Sequence, residues 1–191
     1  MLSKRAEGHL FIIAAPSGTG KTTLCNMILE KIENTVSSIS YTTRLPRMGE
    51  KDRVHYYFIS HKEFEELKQK NFFAEWAEVY GEFYGTSKKF IQEELKNGND
   101  VILDIDTQGA QQLKQVFQSQ AVSIFLLPPS EKELRKRLEG RGTESKDCIE
   151  KRFSWAQHEI EEAQHFDYKI INDDLEEAFQ KIKKIIYGIR K

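Results

Sequence analysis

Short apolar runs alternate with amphipathic stretches along the chain, a pattern that predicts βα units around a largely parallel sheet. Leu10 to Ala14 is continuous and apolar, the signature of a strand buried on both faces. From Thr22 the period becomes helical: Leu24, Ile28 and Ile32 share one face, with Met27 beside them. Val101 to Ile105, Val122 to Leu127 and Tyr168 to Ile171 read as further buried strands. At the far end Leu175, Phe179, Ile182, Ile186 and Ile189 form a single helical stripe, and Asp173 or Asp174 can cap its start.

Two segments break this rhythm. Residues 36–97 are rich in aromatics and turn residues and contain alternating stretches such as Val54-His55-Tyr56-Tyr57-Phe58-Ile59. They predict a mixed-sheet insertion carrying two helices. One follows Ser60, where Ser60 and Glu63 have capping-box spacing, and the other ends near Gly98. Residues 128–166 follow Pro128-Pro129 and are strongly charged, with Ser130 and Glu133 as a second capping box. They predict a mobile helical pair broken at Gly140-Arg141-Gly142.

Length and charge narrow the function classes. The chain has 191 residues, room for one domain with large insertions or two small ones at roughly 150 residues per domain. Twenty-nine basic and 30 acidic side chains leave a net charge of −1, so no global field attracts polyanions. That argues against a nucleic-acid coat or a polybasic membrane binder and leaves room for a local basic pocket. No apolar run approaches the ~18 residues of a membrane span. Met1 to Gly8 is charged and lacks an apolar signal core. Cys25 and Cys148 form no CxxC pair. A cytoplasmic location is the expectation.

The strongest chemistry lies in Ala15-Pro16-Ser17-Gly18-Thr19-Gly20-Lys21-Thr22, close to G-x-x-x-x-G-K-[ST] and set between an apolar strand and an amphipathic helix. Gly18 and Gly20 let backbone N–H groups converge on phosphate oxygens, and the helix N-terminus adds partial positive charge. Lys21 is placed to reach the outer phosphates, and the Thr22 hydroxyl can ligate Mg²⁺. Thr23 extends the stretch expected to bind a nucleoside triphosphate. Ala15 replaces the first glycine with another small residue. Asp104 and Asp106 alternate with Ile105, which predicts that both point to one side of a strand end, where Asp104 can orient Mg²⁺ waters; a strand-end cap is the alternative.

Inside the insertion, Arg44 and Arg47 flank Pro46 ahead of Gly49. Two guanidinium forks in a tight loop suit a phosphate, and a solvated basic turn fits the same residues equally well. Glu75 is flanked by apolar residues, so it is a candidate buried acid in need of paired donors; a guanine N1–H and N2–H₂ edge would offer them. On chemistry alone Trp76 and Tyr84 read as core or sheet-surface aromatics. Five histidines show no ligand spacing beside either cysteine, so Mg²⁺ brought with a nucleoside triphosphate is the one metal expected. Cys25 reads as a packing residue whose oxidation near the phosphate loop could inhibit.

Taken in order, APSGTGKTT, SYTTRLPRMGE, YYF, FFAEWAEVYGEFYGT, ILDID-QG, RLEGRGTES, KRFSWAQ and INDD give the chain a nearly end-to-end resemblance to the guanylate kinase family of P-loop nucleoside monophosphate kinases. The resemblance implies an α/β fold: a three-layer α/β/α P-loop core with a parallel sheet (1–35, 98–127 and 159–191), a mixed-sheet GMP-binding insertion (36–97) and a helical lid (128–158). It implies transfer of the ATP γ-phosphoryl to GMP or dGMP, with small molecules rather than nucleic acid or membrane as partners. By the same resemblance Arg44, Arg47, Tyr56 and Tyr84 hold the acceptor phosphate, with Glu50 in the same motif. Ser40, Glu75, Thr86 and Asp106 read the guanine. Arg137, Arg141 and Arg152 close over ATP, although by themselves they read as solvated helix charges, as do Arg135 and Lys136. Asn172 and Asp173 either lie near the adenine or cap a helix. Thr86 stands where many relatives carry serine, and Met48 where proline is common. The rivals are another small-molecule P-loop kinase and a guanylate-kinase-like module that holds phosphorylated peptides.

Overall fold

The computed structural model describes residues 6–79, 81–139 and 146–191. The apolar run becomes β1 (Leu10–Ala14), buried along its whole length. It is flanked by β7 (Asp100–Asp104) and β8 (Ala121–Leu127), and β2 (Thr35–Ser37) and β9 (Tyr168–Ile171) complete a five-stranded sheet in the order β2-β7-β1-β8-β9, with every pair parallel.

Parallel strands need crossovers, and the helices that supply them cover both faces. Phe11 and Ile13 pack toward α1 (Lys21–Lys31) and α7 (Leu175–Ile189), whose stripe of Phe179, Ile182 and Ile186 is buried. Leu10, Ile12 and Ala14 face the opposite way, toward α3 (Lys88–Lys96) and α4 (Thr107–Phe117). The three layers follow from the two-residue side-chain period of a strand that is apolar throughout. Asp174 caps α7, accepting from the Glu177 N–H at 2.9 Å, so of the two candidate aspartates the second does this work.

The insertion is a separate four-stranded mixed sheet. Its strands are β3 (Tyr41–Thr42), β4 (Tyr57–Phe58), β5 (Phe73–Val79) and β6 (Glu82–Ser87), in the order β4-β3-β6-β5. The alternation at 54–59 yields only the short β4; Val54 is exposed, in a turn closed by an isolated bridge between Asp52 and Tyr56. The sheet packs on α2 (His61–Gln69), which starts with the expected reciprocal capping box of Ser60 and Glu63. Its small core is aromatic: Phe64 is fully buried and stacks on Phe73 and Phe83, with ring centroids 4.4 and 5.2 Å apart.

The charged segment forms α5 (Glu131–Glu139) and α6 (Lys146–Glu162), joined by an apolar cluster of Leu134, Leu138 and Ala156. Ser130 Oγ accepts from the Glu133 N–H at 3.1 Å, and the Glu133 carboxylate turns to Arg137 and Lys136. The Gly140-Arg141-Gly142 break lies outside the described residues.

Candidate active site

The phosphate loop is the turn from β1 into α1. Gly18 and Gly20 hold φ of 91° and 85°, a left-handed geometry that favours glycine. A Cβ on Gly20 would also lie 2.9 Å from Asn172 Nδ2, so the position is closed to any side chain. Thr19 is wholly buried and its Oγ1 donates to the Pro16 carbonyl at 2.6 Å. Asn172 Nδ2 donates to the Thr19 carbonyl, bracing the loop from behind. Gly20, the N-cap of α1, makes no side-chain cap bond. The N–H groups of the first turn therefore face a cavity of about 430 Å³ formed by residues 15–23 and Glu159, an anion site made of backbone donors.

The parallel register sets Ile13 beside Asp104 and so brings the end of β7 against this loop. Lys21 Nζ lies 2.8 Å from Asp104 Oδ1 and donates to the Ile105 carbonyl at 3.0 Å. Thr22 Oγ1 donates to Asp104 Oδ2 at 3.0 Å. The expectation that Asp104 and Asp106 project from one strand needs correction. The strand ends at Asp104, and Asp106 is the N-cap of α4, accepting from the Gly109 N–H at 2.8 Å.

A second cavity, about 270 Å³, opens between the two sheets. Lys21, Asp104 and Asp106 line its core side; Ser40, Tyr56, Tyr84 and Glu75 line the insertion side. Glu75, Ala77 and Val79 reach it from alternate positions of β5. Glu75 is only 6% exposed. It accepts from the buried Thr86 hydroxyl through Oε1. Burial pushes its carboxyl up to about 7; the Asp106 charge adds to this, and the Thr86 hydrogen bonds oppose it. Its other oxygen meets the backbone of α4 so closely that a Cβ on Gly109 would lie 2.9 Å from Oε2.

Around Arg44 the structure shows a preformed ion pair. Both guanidinium Nη atoms donate to Glu50 at 2.9 Å, and Glu50 also accepts from the Arg47 N–H at 2.7 Å. Chiefly through the Arg44 bonds, the Glu50 carboxyl is held at about 2, and Arg44 is pushed further above its ordinary range. The Arg44 guanidinium also lies 5.4 Å from the centroid of Tyr56, which keeps it at the cavity rim. Arg47 is exposed and does not line the cavity; its main chain, rather than its side chain, enters this cluster. The two-arginine clasp is thus divided, with Arg44 held by Glu50 beside Tyr56 and Arg47 outside.

From α6, Arg152 Nη2 donates to Ser17 Oγ in the phosphate loop. Arg137 Nη1 donates to the Asn172 carbonyl at 3.2 Å, and its Nε donates to Glu133 Oε1 at 3.2 Å. Arg141 lies outside the described residues. Arg135 is a solvent-accessible charge, as expected, and it pairs with the exposed Glu150 through both Nη atoms and lies 4.4 Å from the Phe153 ring centroid, linking α5 to α6. Glu159 was missed in the sequence. It is two turns beyond Arg152 on α6, so both fall on one face, and it reaches the phosphate cavity. Asn172 is neither a helix cap nor part of either cavity lining; it is a brace for the loop. Cys25 is buried, in keeping with a packing residue, and burial first and the Asp104 charge second push its thiol up to about 12.

Comparison with known proteins places this geometry among relatives. The family model described as guanylate kinase matches residues 7–188. A guanylate kinase of Dechloromonas aromatica is 50% identical over 94% of this chain and 88% of its own. One of Geobacter metallireducens is 48% identical over 97% and 91%. A crystal structure of guanylate kinase from Anaplasma phagocytophilum, 34% identical, superposes with a TM-score of 0.80 over 97% of this chain and 88% of that one.

Proposed function

The chain belongs to the guanylate kinase family, whose reaction is the phosphorylation of GMP by ATP, and from that premise we propose how its residues divide the work. The observation that carries the assignment is that Lys21 lines both cavities, so one ammonium stands between a donor site of backbone N–H groups and an acceptor site of buried polar side chains.

ATP lays its phosphates on residues 15–23, and its transfer end meets Lys21 after that ammonium leaves Asp104. GMP or dGMP enters the second cavity with its guanine against Glu75 and Thr86, assisted by Ser40 and Asp106. Ionised Glu75 accepts from N1–H and N2–H₂, which gives a buried carboxylate the donors it requires. Tyr56, Tyr84 and Arg44 hold the acceptor phosphate, with Glu50 fixing the orientation of the Arg44 fork. Arg47 joins from the rim as the insertion closes. Arg137 and Arg152, with Arg141 from the same segment, neutralise the charge of the moving phosphoryl group. The acceptor phosphate is already an anion, so the step is in-line attack that needs positioning and charge neutralisation rather than a strong base.

The donor set beside the loop suits Mg²⁺. The Thr22 hydroxyl and Asp104 carboxylate offer hard oxygens 3.0 Å apart, and among the described residues no cluster of three acids competes for the ion. When bound, Mg²⁺ supplies positive charge to the donor phosphates. The 36–97 and 128–158 segments act as parts that close on the 1–35, 98–127 and 159–191 core and exclude water. The enzyme serves guanine nucleotide metabolism and GMP recycling in the cytoplasm, where a free buried thiol such as Cys25 needs no disulfide partner. Among the described residues no helix is long and apolar enough to cross a membrane.

Acceptor profiling tests the reading. With ATP and Mg²⁺, GMP and dGMP are turned over and AMP, UMP and TMP are not. Adenine presents an acceptor at N1 and lacks N2–H₂, leaving Glu75 unpaired, and failure to satisfy such a site costs a factor of ~10⁴ in discrimination. Equal turnover of AMP and GMP contradicts the role given to Glu75.

A further inference from the structure

The acceptor cavity is walled by two units that are separate in sequence, and one side chain outside the cavity ties them together. β5 is an edge strand of the insertion sheet, with β6 on its inner side. The outward N–H and C=O groups of such an edge have no strand to pair with. At Trp76 both are taken by the primary amide of Gln112 from α4 of the core. Gln112 Oε1 accepts from the Trp76 N–H at 3.1 Å, and Gln112 Nε2 donates to the Trp76 carbonyl at 2.9 Å. This two-way exchange is what a residue of an antiparallel neighbour would make, supplied here by one side chain.

The clamped residue lies between two that line the guanine cavity. Glu75 and Ala77 face the cavity, while the Trp76 ring turns away beneath Lys68, whose Nζ lies 4.0 Å from its centroid. Gln112 is one turn beyond Gly109, the glycine whose missing Cβ gives room to Glu75 Oε2. α4 therefore fixes this stretch of β5 twice, once by contact behind Glu75 and once by the clamp on Trp76. From the insertion side Thr86 meets the same carboxylate through its hydroxyl and its backbone.

We propose that Gln112 is a positioning residue for base recognition, holding the β5 backbone at Trp76 so that Glu75 keeps its place opposite the guanine edge. It touches no substrate. Releasing the clamp leaves the phosphate loop, Lys21 and the lid arginines untouched, and lets the Glu75 backbone drift from α4. The effect belongs to GMP affinity and base choice, since a small misplacement of a recognition group is enough to lose its contribution. This inference rests on the reading that Glu75 recognises guanine.

The test is a kinetic series on the full chain with GMP and IMP as acceptors; IMP lacks the 2-amino group. Gln112→Leu keeps the bulk and removes both bonds; Gln112→Glu keeps the acceptor and removes the donor. Gln112→Leu is expected to raise KM for GMP about 10-fold, to keep KM for ATP and kcat at saturating GMP within about 2-fold, and to shrink the GMP-over-IMP preference in kcat/KM. Gln112→Glu is expected to fall between it and wild type, and it carries the same comparison should the leucine variant fail to fold. Unchanged KM for GMP and unchanged preference in the variants, or a parallel loss in both KM values and kcat, overturns the proposal. Glu75→Gln in the same series separates the two layers. If it abolishes the GMP-over-IMP preference while the Gln112 variants retain it, the clamp role fails alone. If Glu75→Gln leaves the preference intact, the reading of Glu75 fails, and the clamp role with it.

Discussion

A carboxylate buried as deeply as Glu75 is costly until a ligand satisfies it, and on the proposed assignment this cost is the basis of base selectivity. With the carboxyl raised from 4.5 to about 7, keeping it ionised in the empty pocket costs about 3 kcal/mol. Guanine presents two donors, so it binds the ionised form; adenine presents none at the same edge positions and leaves the cost unpaid. The sign of the pH dependence follows. As pH falls below about 7 the free enzyme protonates Glu75, and KM for GMP should rise while KM for ATP stays flat. A KM for GMP that is level across this range contradicts the assignment. The linked effect on folding runs the other way: the raised carboxyl makes the empty enzyme lose stability as pH rises from 4.5 to about 7. Melting curves of Glu75→Gln should lack this slope. Lys21 gives a second residue-scale expectation. Its ammonium is held by Asp104 and the Ile105 carbonyl, and the Lys21 and Asp104 side chains stay 21% and 33% exposed, so the ion pair lies in the cleft rather than in the core. Lys21→Ala should therefore lower kcat by ~10³ or more with the melting temperature little changed; near-normal turnover removes its role.

At the scale of elements, legibility followed the physics of each segment. The continuous apolar run of β1 and the stripe of α7 were readable because burial imposes a periodicity that nothing else in those segments opposes. The Ser60 and Glu63 box was readable because both partners are local. The 54–59 alternation misled: tertiary pairing exists only for Tyr57–Phe58, and the turn at Asp52 and Tyr56 takes the rest. Asp106 was placed on a strand because side-chain alternation does not reveal where pairing stops and a helix cap begins. The site residues of the phosphate loop form one sequence-local motif. The Arg44 and Glu50 pair, the Gln112 clamp and the Asn172 brace depend on partners brought together by the fold, the last across 153 positions of sequence. The brace yields an expectation of its own. Asn172→Ala leaves the Thr19 carbonyl without its side-chain donor and the loop unsupported behind Gly20. KM for ATP should rise about 10-fold while KM for GMP holds, because only the donor cavity depends on this bond. Equal shifts in both KM values would refute a role confined to the loop.

At the scale of the whole molecule, two cavities meet at Lys21, which pairs with Asp104 at the end of β7. The parallel register of β1 and β7 brings Asp104 to the phosphate loop, and α4, starting at Asp106, forms the back of the base pocket. The helices α5 and α6 meet the rest of the chain through Arg137 on the Asn172 carbonyl and Arg152 on Ser17, while Arg44 pairs with Glu50 and Arg47 faces outward. The most direct measurement is a crystal structure with GMP and a non-hydrolysable ATP analogue bound together. The account expects the guanine edge on Glu75 and Thr86, the GMP phosphate on Tyr56, Tyr84 and Arg44, and the donor's terminal phosphate within reach of Lys21. GMP bound elsewhere, or bound with its base away from Glu75, would contradict it.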